Sequence, residues 1–265
     1  MKLRMKTLVA AGLATILTAC ATSPTGRNQV LLYSEPQMAE MGAQAFTGMK
    51  EELKISSKQV ENSYVQCVAK SITPYVPESV FDGEWEVVVF QDEQVNAFAL
   101  PGGKIGVYTG LLDVAKTQSQ LAAVIGHEIG HVIAHHGNER MSTSTLTNLG
   151  TQAVAQVINS QEVAYSGAIM AAIGLGSQVA ITLPFSRAHE SEADLIGLAL
   201  MAQAGFDPRE SVTLWQNMEA ASGGQRQMEI LSTHPAPQSR IANLQANMNA
   251  AMADYQKTAT RPKCK

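Results

Sequence analysis

The sequence Ala123-Val-Ile-Gly-His-Glu-Ile-Gly-His-Val-Ile-Ala134 decides the fold of this chain, and it contains the pattern HExxH at His127, Glu128 and His131. On an α-helix, side chains four residues apart project from the same face, so both imidazoles can reach one metal ion. A catalytic zinc ion takes three protein ligands and leaves a fourth position to water, whose pKa it lowers to about 7. Glu128 lies beside the imidazoles and can take the proton of that water. The three residues therefore predict metal-assisted hydrolysis.

An alternative for these three polar residues is a solvated helix face. The flanking residues argue against it, because they are apolar: Leu121, Ala122, Ala123, Val124, Ile125, Ile129, Val132 and Ile133. A helix with such flanks is predicted to be buried, and buried polar groups at this density need a partner. We therefore interpret HExxH as a metal site.

The predicted helix begins at Thr117-Gln-Ser-Gln120, which has the form of a capping box, and runs to about Asn138. His135 and His136 near its end are alternatives for a third metal ligand. The long metzincin motif needs glycine at position 134 and histidine at position 137, where this chain has alanine and glycine. We therefore interpret His135 and His136 as helix-end residues that interact with the helix dipole.

The third ligand is expected from the segment Ser186-Arg-Ala-His-Glu-Ser-Glu-Ala-Asp194. Glu190 and Asp194 are four residues apart and share a helix face, so one can bind the metal while the other orients a ligating histidine. His189 is an alternative ligand, but it lacks this pairing. Glu192 points elsewhere on the helix and is predicted to be solvated.

The only clear β region lies just before the metal helix. Residues 84–90 and 104–108 read as strands, with residues 94–100 between them, and Pro101-Gly-Gly103 supplies a turn. A strand at this place could border the cleft and pair with an extended peptide, so we predict substrate contacts from Asn96, Ala97 and Phe98. The alternative is a loop cap at Asn96 and a core aromatic at Phe98.

Residues 1–19 have the features of an export signal, with a basic start, an apolar stretch from Leu8 to Leu17 and a cysteine at position 20. Leu17-Thr-Ala-Cys20 resembles the lipobox of bacterial lipoproteins, which implies cleavage before Cys20 and acylation of that residue. A plain transmembrane anchor is the alternative, but about ten apolar residues are too few to span a bilayer. Ala21 follows the cysteine, a pattern that resembles sorting to the outer membrane in enterobacterial lipoproteins. We therefore expect a lipid-anchored protein that faces the periplasm, with residues 20–33 as a tether.

Removal of the signal takes away Lys2, Arg4 and Lys6, so the formal net charge of −4 becomes −7. A mildly acidic surface argues against a nucleic acid partner. Cys67 and Cys264 then remain in an oxidising compartment. A disulfide between them would attach the C-terminal tail to the fold, and two unpaired thiols are the alternative.

The rest of the chain predicts an α+β fold that is mostly helical, with a small β-sheet beside the HExxH helix. Further helices are expected at 34–53, 57–72 and 239–252. Residues 163–183 carry no charge, and we prefer a packed or membrane-facing lid helix over a membrane span because glycine and polar residues dilute their apolarity. Residues 34–265 are predicted to form a single domain.

His234 lies in the segment Ser232-Thr-His-Pro-Ala-Pro237. Its prolines favour a stiff, extended form, so the histidine is presented with little conformational freedom. Such a loop suits a functional side chain. The alternative is a helix-entry histidine that packs on the surface.

The pairing of His127-Glu-Ile-Gly-His131 with Glu190-Ser-Glu-Ala-Asp194, preceded by Ser186-Arg187, resembles the HtpX and CaaX-protease-type zinc metallopeptidases, which are gluzincins. The match also includes Asn96-Ala-Phe98, Val107-Tyr-Thr-Gly-Leu111 and His234-Pro235, and it covers about residues 90–245. The resemblance implies one zinc ion held by His127, His131 and Glu190, with Glu128 as the general base and Asp194 in support. It implies for His234 either a hydrogen bond to the oxyanion or a fourth bond to zinc that displaces the reactive water.

HtpX itself has membrane spans where this chain has a lipoprotein signal, so the chain looks closer to the periplasmic lipoprotein branch. That branch implies an endopeptidase that degrades misfolded or unassembled outer-membrane proteins. Its implied partners are unfolded envelope polypeptides, the membrane, and the outer-membrane assembly machinery. A zinc-stabilised assembly factor with little turnover is the alternative, but a pure binding module has no chemical need for Glu128.

Overall fold

A computed structural model describes residues 20–160, 186–222, 232, 234 and 238–264 of the chain. The predicted signal at 1–19 and lid helix at 163–183 lie outside these residues. Within the described part, two compact units form: one from residues 20–34 and 135–160, the other from residues 35–134 and those from 186 onwards. Residues 34–265, predicted to form a single domain, contribute to both units, and that prediction stays a prediction. Among the described helices, none is both long and apolar enough to cross a membrane.

The first unit is a β-hairpin with one long helix. Strands β1 (Cys20–Thr22) and β2 (Asn28–Val30) are antiparallel, and helix α5 spans His136–Ser160. The guanidinium of Arg27 donates two hydrogen bonds to the carboxylate of Glu139 on this helix, at 2.6 and 2.7 Å. The expectation of a tether at residues 20–33 is therefore wrong. Gly26 has φ +88° and forms the hairpin turn.

The second unit contains the other elements. Its helices are α1 (Glu35–Glu52), α2 (Gln59–Ile72), α3 (Thr109–Leu112), α4 (Gln118–Ile133), α6 (Arg187–Gln203), α7 (Glu210–Ser222) and α8 (Gln238–Lys257), with a 3₁₀ turn at Thr73–Tyr75. Its strands are β3 (Glu86–Phe90), β4 (Ala97–Leu100) and β5 (Lys104–Tyr108). The described chain is thus mostly helical with small sheets, as the sequence predicts.

The three strands of this unit form a mixed sheet in the order β3-β5-β4. Strand β3 is parallel to β5, whereas β4 is antiparallel to β5, with Ala97 opposite Val107. The turn between β4 and β5 uses Gly102 and Gly103, both with positive φ, which side chains with a Cβ rarely adopt. Strand β4 is at the edge of the sheet and packs beside helix α4. The predicted position of the sheet next to the HExxH helix is confirmed.

The main core of the second unit joins α2, the sheet and helices α4, α6, α7 and α8. Its largest fully buried apolar side chains are Ile72, Ile105, Leu111, Leu121, Ile125, Ile129, Met201, Phe206 and Met218. Burial of such side chains contributes about 1.5–3 kcal/mol each before the entropy cost of folding. A smaller aromatic cluster of Phe46, Phe90 and Tyr108 lies on the other face of the sheet. Helix α4 is therefore held in the interior, as its apolar flanks predict.

A disulfide joins Cys67 on α2 to Cys264 near the C-terminus, with an S–S distance of 2.03 Å. The tail is also hydrogen-bonded to Gln118 in the first turn of α4. The side chain of Gln118 accepts a hydrogen bond from the backbone N of Cys264 and donates one to the carbonyl of Pro262. The structure thus contains the predicted pair and connects it to the start of the metal helix.

Helix α4 ends earlier than predicted. It stops at Ile133, Ala134 is its C-cap, and His135 has φ +55°, which breaks the helix. Residues 131–136 include neither glycine nor proline, so no residue type there predicts the break. His136 is the first residue of α5, where the helix dipole favours negative charge, so its predicted role at a helix C-terminus is wrong.

Candidate metal centre

Helix α4 supplies the HExxH residues from the core. The hydroxyl of Thr117 caps this helix by accepting a hydrogen bond from the backbone N of Gln120. The side chain of Gln120 in turn accepts from the backbone N of Lys116, one residue earlier than in a standard capping box. His127, Glu128 and His131 are all buried. The prediction that this motif is buried is therefore confirmed.

Helix α6 crosses α4 at a contact made by small residues. A Cβ added to Gly197 would lie 2.7 Å from the backbone N of His127, and one added to Gly130 would lie 2.8 Å from the carbonyl oxygen of Ala193. Real Cβ atoms do not approach other heavy atoms so closely, so glycine is required for the two backbones to touch. Because the helices are this close, the side chains of Glu190 and Asp194 reach those of α4.

Ser186 begins helix α6, and its hydroxyl accepts a hydrogen bond from the backbone N of His189. Glu190 and Asp194 are both buried on the face towards α4. His189 is buried as well but is not part of the metal-ligand cluster. Glu192 is also buried, at 3% exposure, so its predicted solvation is wrong. The prediction assumed a solvent face, whereas α6 packs against both α4 and α8.

Four potential ligands converge: His127, His131, Glu190 and His234 each offer one atom, and these atoms lie within 4.8 Å of one another. The Nε2 atom of His127 is 3.0 Å from Nε2 of His131 and 3.3 Å from Nδ1 of His234. Nδ1 of His234 is 3.0 Å from Oε1 of Glu190. Tetrahedral zinc with bonds of about 2.0–2.1 Å separates its ligand atoms by about 3.3–3.4 Å. The spacing therefore fits a single zinc ion.

The charge of the cluster also fits a divalent cation. Glu128, Glu190 and Asp194 are buried carboxylates, and Arg240 is a buried guanidinium among them. Histidine binds zinc as the neutral imidazole, and with the imidazoles in that form these groups carry a net charge of −2, which is costly in an interior that excludes water. One Zn²⁺ ion neutralises it.

Arg240, in the first turn of α8, positions both carboxylates of α6. Its Nη1 atom is 2.6 Å from Oε2 of Glu190, and its Nε donates to Oδ2 of Asp194 at 2.7 Å. Its guanidinium carbon lies 4.0 Å from the centre of the Trp215 ring. Oδ1 of Asp194 in turn lies 3.0 Å from Nδ1 of His127, which leaves Nε2 of that imidazole directed at the cluster.

Sequence reasoning assigned the supporting role to Asp194 but missed Arg240. No motif contains Arg240, and its partners are 46 and 50 residues away along the chain. Arg240 lies six residues after His234, at the start of a predicted helix, and this proximity was the one sign in the sequence that it belongs to the site. The proximity does not reveal that its partners are Glu190 and Asp194, because only the fold brings them together.

The pKa values of these groups follow from burial and from their neighbours. Burial and the charge of Arg240 lower the pKa of His127, but hydrogen bonds to Asp194 and Glu190 outweigh them and raise it to about 9. Burial raises the pKa of Glu128. Burial also raises the pKa of Glu190, but His127 and His234 outweigh it and hold that pKa below its ordinary range. Burial likewise raises the pKa of Asp194, but Arg240 outweighs it and holds that pKa below its ordinary range. Glu190 is therefore an anionic ligand, whereas Glu128 is a better proton acceptor than an exposed glutamate.

The predicted substrate residues have mainly structural contacts. Phe98 packs with Phe46 and Phe90, at ring-centroid distances of 6.1 Å. The side-chain oxygen of Asn96 accepts from the backbone N of Ala97. These side chains therefore act as the core aromatic and the loop cap that were the alternative. Substrate contact from residues 96–98 stays a prediction, now for the backbone of the strand.

A small cavity adjoins His127 and Asp194, with room for little more than a water molecule. Its walls are largely apolar: Ala123, Val124, Leu198, Met201, Leu214, Trp215, Met218 and Leu244. Such a wall limits water access to the charged groups and strengthens their mutual interactions.

A buried HExxH helix, crossed by a helix that contributes a carboxylate ligand, is the arrangement of a zinc metallopeptidase centre. The family model described as Peptidase family M48 matches residues 59–248. This chain belongs to that family, whose members depend on zinc, so the cofactor of the centre is one zinc ion per chain. The prediction of a metallopeptidase is thereby confirmed, whereas the HtpX and CaaX-protease-type branch stays a prediction.

Curated relatives include eukaryotic and bacterial proteases. The mitochondrial metalloendopeptidase OMA1 of Schizosaccharomyces pombe is 35% identical over 220 residues, which are 82% of this chain and 62% of that protein. The metalloprotease LoiP of Escherichia coli is 29% identical over 251 residues, 92% of this chain and 96% of LoiP. The beta-barrel assembly-enhancing protease of Escherichia coli is 30% identical over 166 residues, 61% of this chain and 34% of that protein.

This chain covers 62%, 44% and 59% of the OMA1 proteins of Schizosaccharomyces pombe, Arabidopsis thaliana and Saccharomyces cerevisiae. It thus spans about half the length of these relatives. The family is established, whereas the branch within it, the activity and the substrates are matters of proposal.

Proposed function

We propose that this chain is a zinc-dependent endopeptidase that hydrolyses peptide bonds in unfolded or unassembled proteins of the bacterial cell envelope. The observation that carries the proposal is the buried cluster of His127, His131 and Glu190 at zinc-ligand spacing, with Glu128 beside it on the same helix turn. A structural zinc site has no use for this glutamate, because its four ligands close the site. A hydrolytic centre needs it as a base.

Zinc, when bound, polarises the carbonyl of the substrate and lowers the pKa of water. Glu128 accepts the proton of the attacking water and then donates it to the leaving amine. The raised pKa of Glu128 suits a group that must both take and give a proton near neutral pH. Asp194 holds the tautomer of His127, and Arg240 fixes the direction of Glu190.

His234 is placed to act as a fourth ligand in the resting enzyme. Its Nδ1 atom belongs to the ligand cluster, and its Nε2 atom is 3.7 Å from Oε1 of Glu128. A fourth ligand from the protein would displace the reactive water, so the histidine would restrain proteolysis until it moves away. The second candidate role is donation of a hydrogen bond to the oxyanion, which the buried position beside Glu128 also permits.

The variant His234→Ala separates the two roles. Loss of an inhibitory ligand should raise peptidase activity and weaken zinc binding. Loss of an oxyanion donor should lower turnover about a hundredfold or more and leave zinc binding unchanged. No change in either quantity would leave a purely structural role.

An extended substrate can pair with strand β4. The backbone N of Tyr108 donates to the carbonyl of Asn96, so by strand alternation the peptide groups of Ala97 and Ala99 face away from β5. Ala97 is buried and its N–H donates to the side chain of Asn96, so the part of this edge that an extended substrate can reach is around Ala99. Strand β4 packs beside helix α4, which carries Glu128. Pairing through backbone groups accepts many sequences, which suits an enzyme that acts on unfolded polypeptides.

The proposed location is the periplasmic face of the outer membrane, with Cys20 acylated. The support is the lipobox-like sequence before Cys20 and the similarity to LoiP and to the beta-barrel assembly-enhancing protease. The latter name also supports the outer-membrane assembly machinery as a partner. Metabolic labelling with a clickable fatty acid should label the wild type and not Cys20→Ser, and an unlabelled wild type would refute the lipid anchor.

Zinc removal tests the proposed activity. The purified chain should cleave casein, lose cleavage after treatment with a chelator, and regain it with one equivalent of zinc. Cleavage that survives complete removal of zinc would contradict the proposal. Retained binding of unfolded protein without any cleavage by the zinc-loaded chain would favour the alternative, an assembly factor with little turnover.

A further inference from the structure

Helix α5 has an unusual composition for an exposed helix. From Met141 to Ser160 it contains no Asp, Glu, Lys, Arg or His, and its polar residues are Ser, Thr, Asn and Gln. Surface helices of soluble domains normally carry charged residues on the face away from the core. A helix with small polar residues and no charge instead suits an environment where a charge would be costly.

Large apolar side chains are exposed in the same unit. Met141, Leu146 and Leu149 of α5 are exposed, Leu149 at 57%, and so is Leu32, which follows the hairpin. The described part of the chain has seven exposed large apolar residues, and these four are among them. The first unit therefore holds most of them, although it is the smaller of the two units. We call these four residues the apolar face. Leu146 and Leu149 are three residues apart and so share one face of α5. Exposed apolar residues that share a helix face mark an interaction surface rather than random variation.

The hairpin fixes Cys20 to this helix. Cys20 is paired with Val30 across the hairpin, and Leu32 lies only two residues beyond Val30. The backbone N of Leu32 donates to the hydroxyl of Ser142 at 2.8 Å, and the hydroxyl of Tyr33 is 2.7 Å from that of Thr145. The ion pair of Arg27 and Glu139 adds a third connection. No flexible spacer therefore separates Cys20 from the apolar face.

We propose that the apolar face is a membrane-contacting surface that inserts into the interface of the bilayer in which acylated Cys20 is anchored. A lipid chain on a residue held by the hairpin brings the first unit to the membrane surface. There, exposed leucines can enter between the headgroups, as in amphipathic helices that lie in the interface. Because α5 lacks charge after Arg140, the contact depends on apolar insertion and not on attraction to anionic lipids. The proposal rests on the proposed lipid-anchored location but not on the peptidase activity.

The test separates the apolar face from the acyl chain. The mature chain from residue 20, carrying Cys20→Ser so that it cannot be acylated, is mixed with vesicles of phosphatidylethanolamine and phosphatidylglycerol and examined by flotation. We expect it to float with the vesicles, and 0.5 M NaCl should not reduce the bound fraction. Leu146→Ser combined with Leu149→Ser should weaken the vesicle partition at least tenfold.

A matched control is Val60→Ser, which removes a more exposed apolar side chain, at 73%, from α2 in the second unit. It should leave vesicle binding unchanged. Circular dichroism and zinc content confirm that each variant is folded. Absence of flotation by the Cys20→Ser chain, equal binding by the double variant, or release by salt would each overturn the proposal. Casein cleavage is measured on the same samples, so failure of the peptidase proposal would be seen separately.

Discussion

The contact between α4 and α6 at Gly197 controls the geometry of the zinc ligands, and Gly197→Ala should disturb it. The new Cβ would lie 2.7 Å from the backbone N of His127, 2.8 Å from the carbonyl carbon of Gly126 and 2.9 Å from Cα of His127. All three are backbone atoms within a buried helix. They cannot rotate away as a side chain can, so the two helices must separate.

The size of the effect follows from these distances. Ordinary contact begins near 3.4 Å, so the helices would have to move apart by about 0.5–0.7 Å. Zinc sites tolerate deviations of about 0.2 Å in ligand distance. Glu190 is on α6 and His127 on α4, so the variant should bind zinc at least tenfold more weakly. The clash should also cost about 1–3 kcal/mol of folding stability.

The assay is competition for zinc with a chromophoric chelator, together with urea unfolding of the zinc-free protein. Gly48→Ala is the matched control, because a Cβ at this position of α1 meets nothing within 4 Å. Alanine is favoured over glycine in a helix interior by about 1 kcal/mol, so the control should become more stable and keep its zinc affinity. If Gly197→Ala behaved like this control in both measurements, glycine packing would not set the ligand geometry.

Three further perturbations follow from the structure. Cys67→Ser removes a disulfide that spans 197 residues, so urea unfolding should show that the free energy of unfolding falls by about 2–5 kcal/mol. Wild type whose disulfide has been chemically reduced should show the same loss. Arg240→Met leaves the carboxylates of Glu190 and Asp194 buried without their cation, so the zinc-free protein should lose about 3–5 kcal/mol; an unchanged unfolding midpoint would contradict this role. Glu190→Ala removes one of the metal ligands and should purify without zinc, whereas full zinc occupancy would mean that this ligand is misassigned.

The parts of the centre that repeat with the helical period could be predicted from sequence. His127 and His131, like Glu190 and Asp194, are four residues apart, and this spacing alone places each pair on one face. The burial of α4 followed from its apolar flanks. The sheet beside it followed from β-rich segments separated by Pro101-Gly-Gly103.

The features that depend on distant contacts could not be predicted. Arg240 joins two carboxylates of another helix, and Arg27 joins Glu139 across 112 residues, which changes an expected tether into a folded hairpin. The break at His135 uses a left-handed conformation that a non-glycine residue rarely adopts. The burial of Glu192 depends on how many helices pack against α6, which its own sequence does not specify.

The central claim is that Glu128 is the base of a zinc-dependent hydrolysis, and Glu128→Gln tests it most directly. Glutamine keeps the shape of the side chain and spares the ligands His127, His131 and Glu190, so the variant should purify with one zinc ion per chain and an unchanged unfolding midpoint. The measurement is casein cleavage by wild type and variant at equal zinc occupancy. We predict that the variant binds zinc fully and does not cleave casein. Equal cleavage rates in the two zinc-loaded proteins would contradict the mechanism.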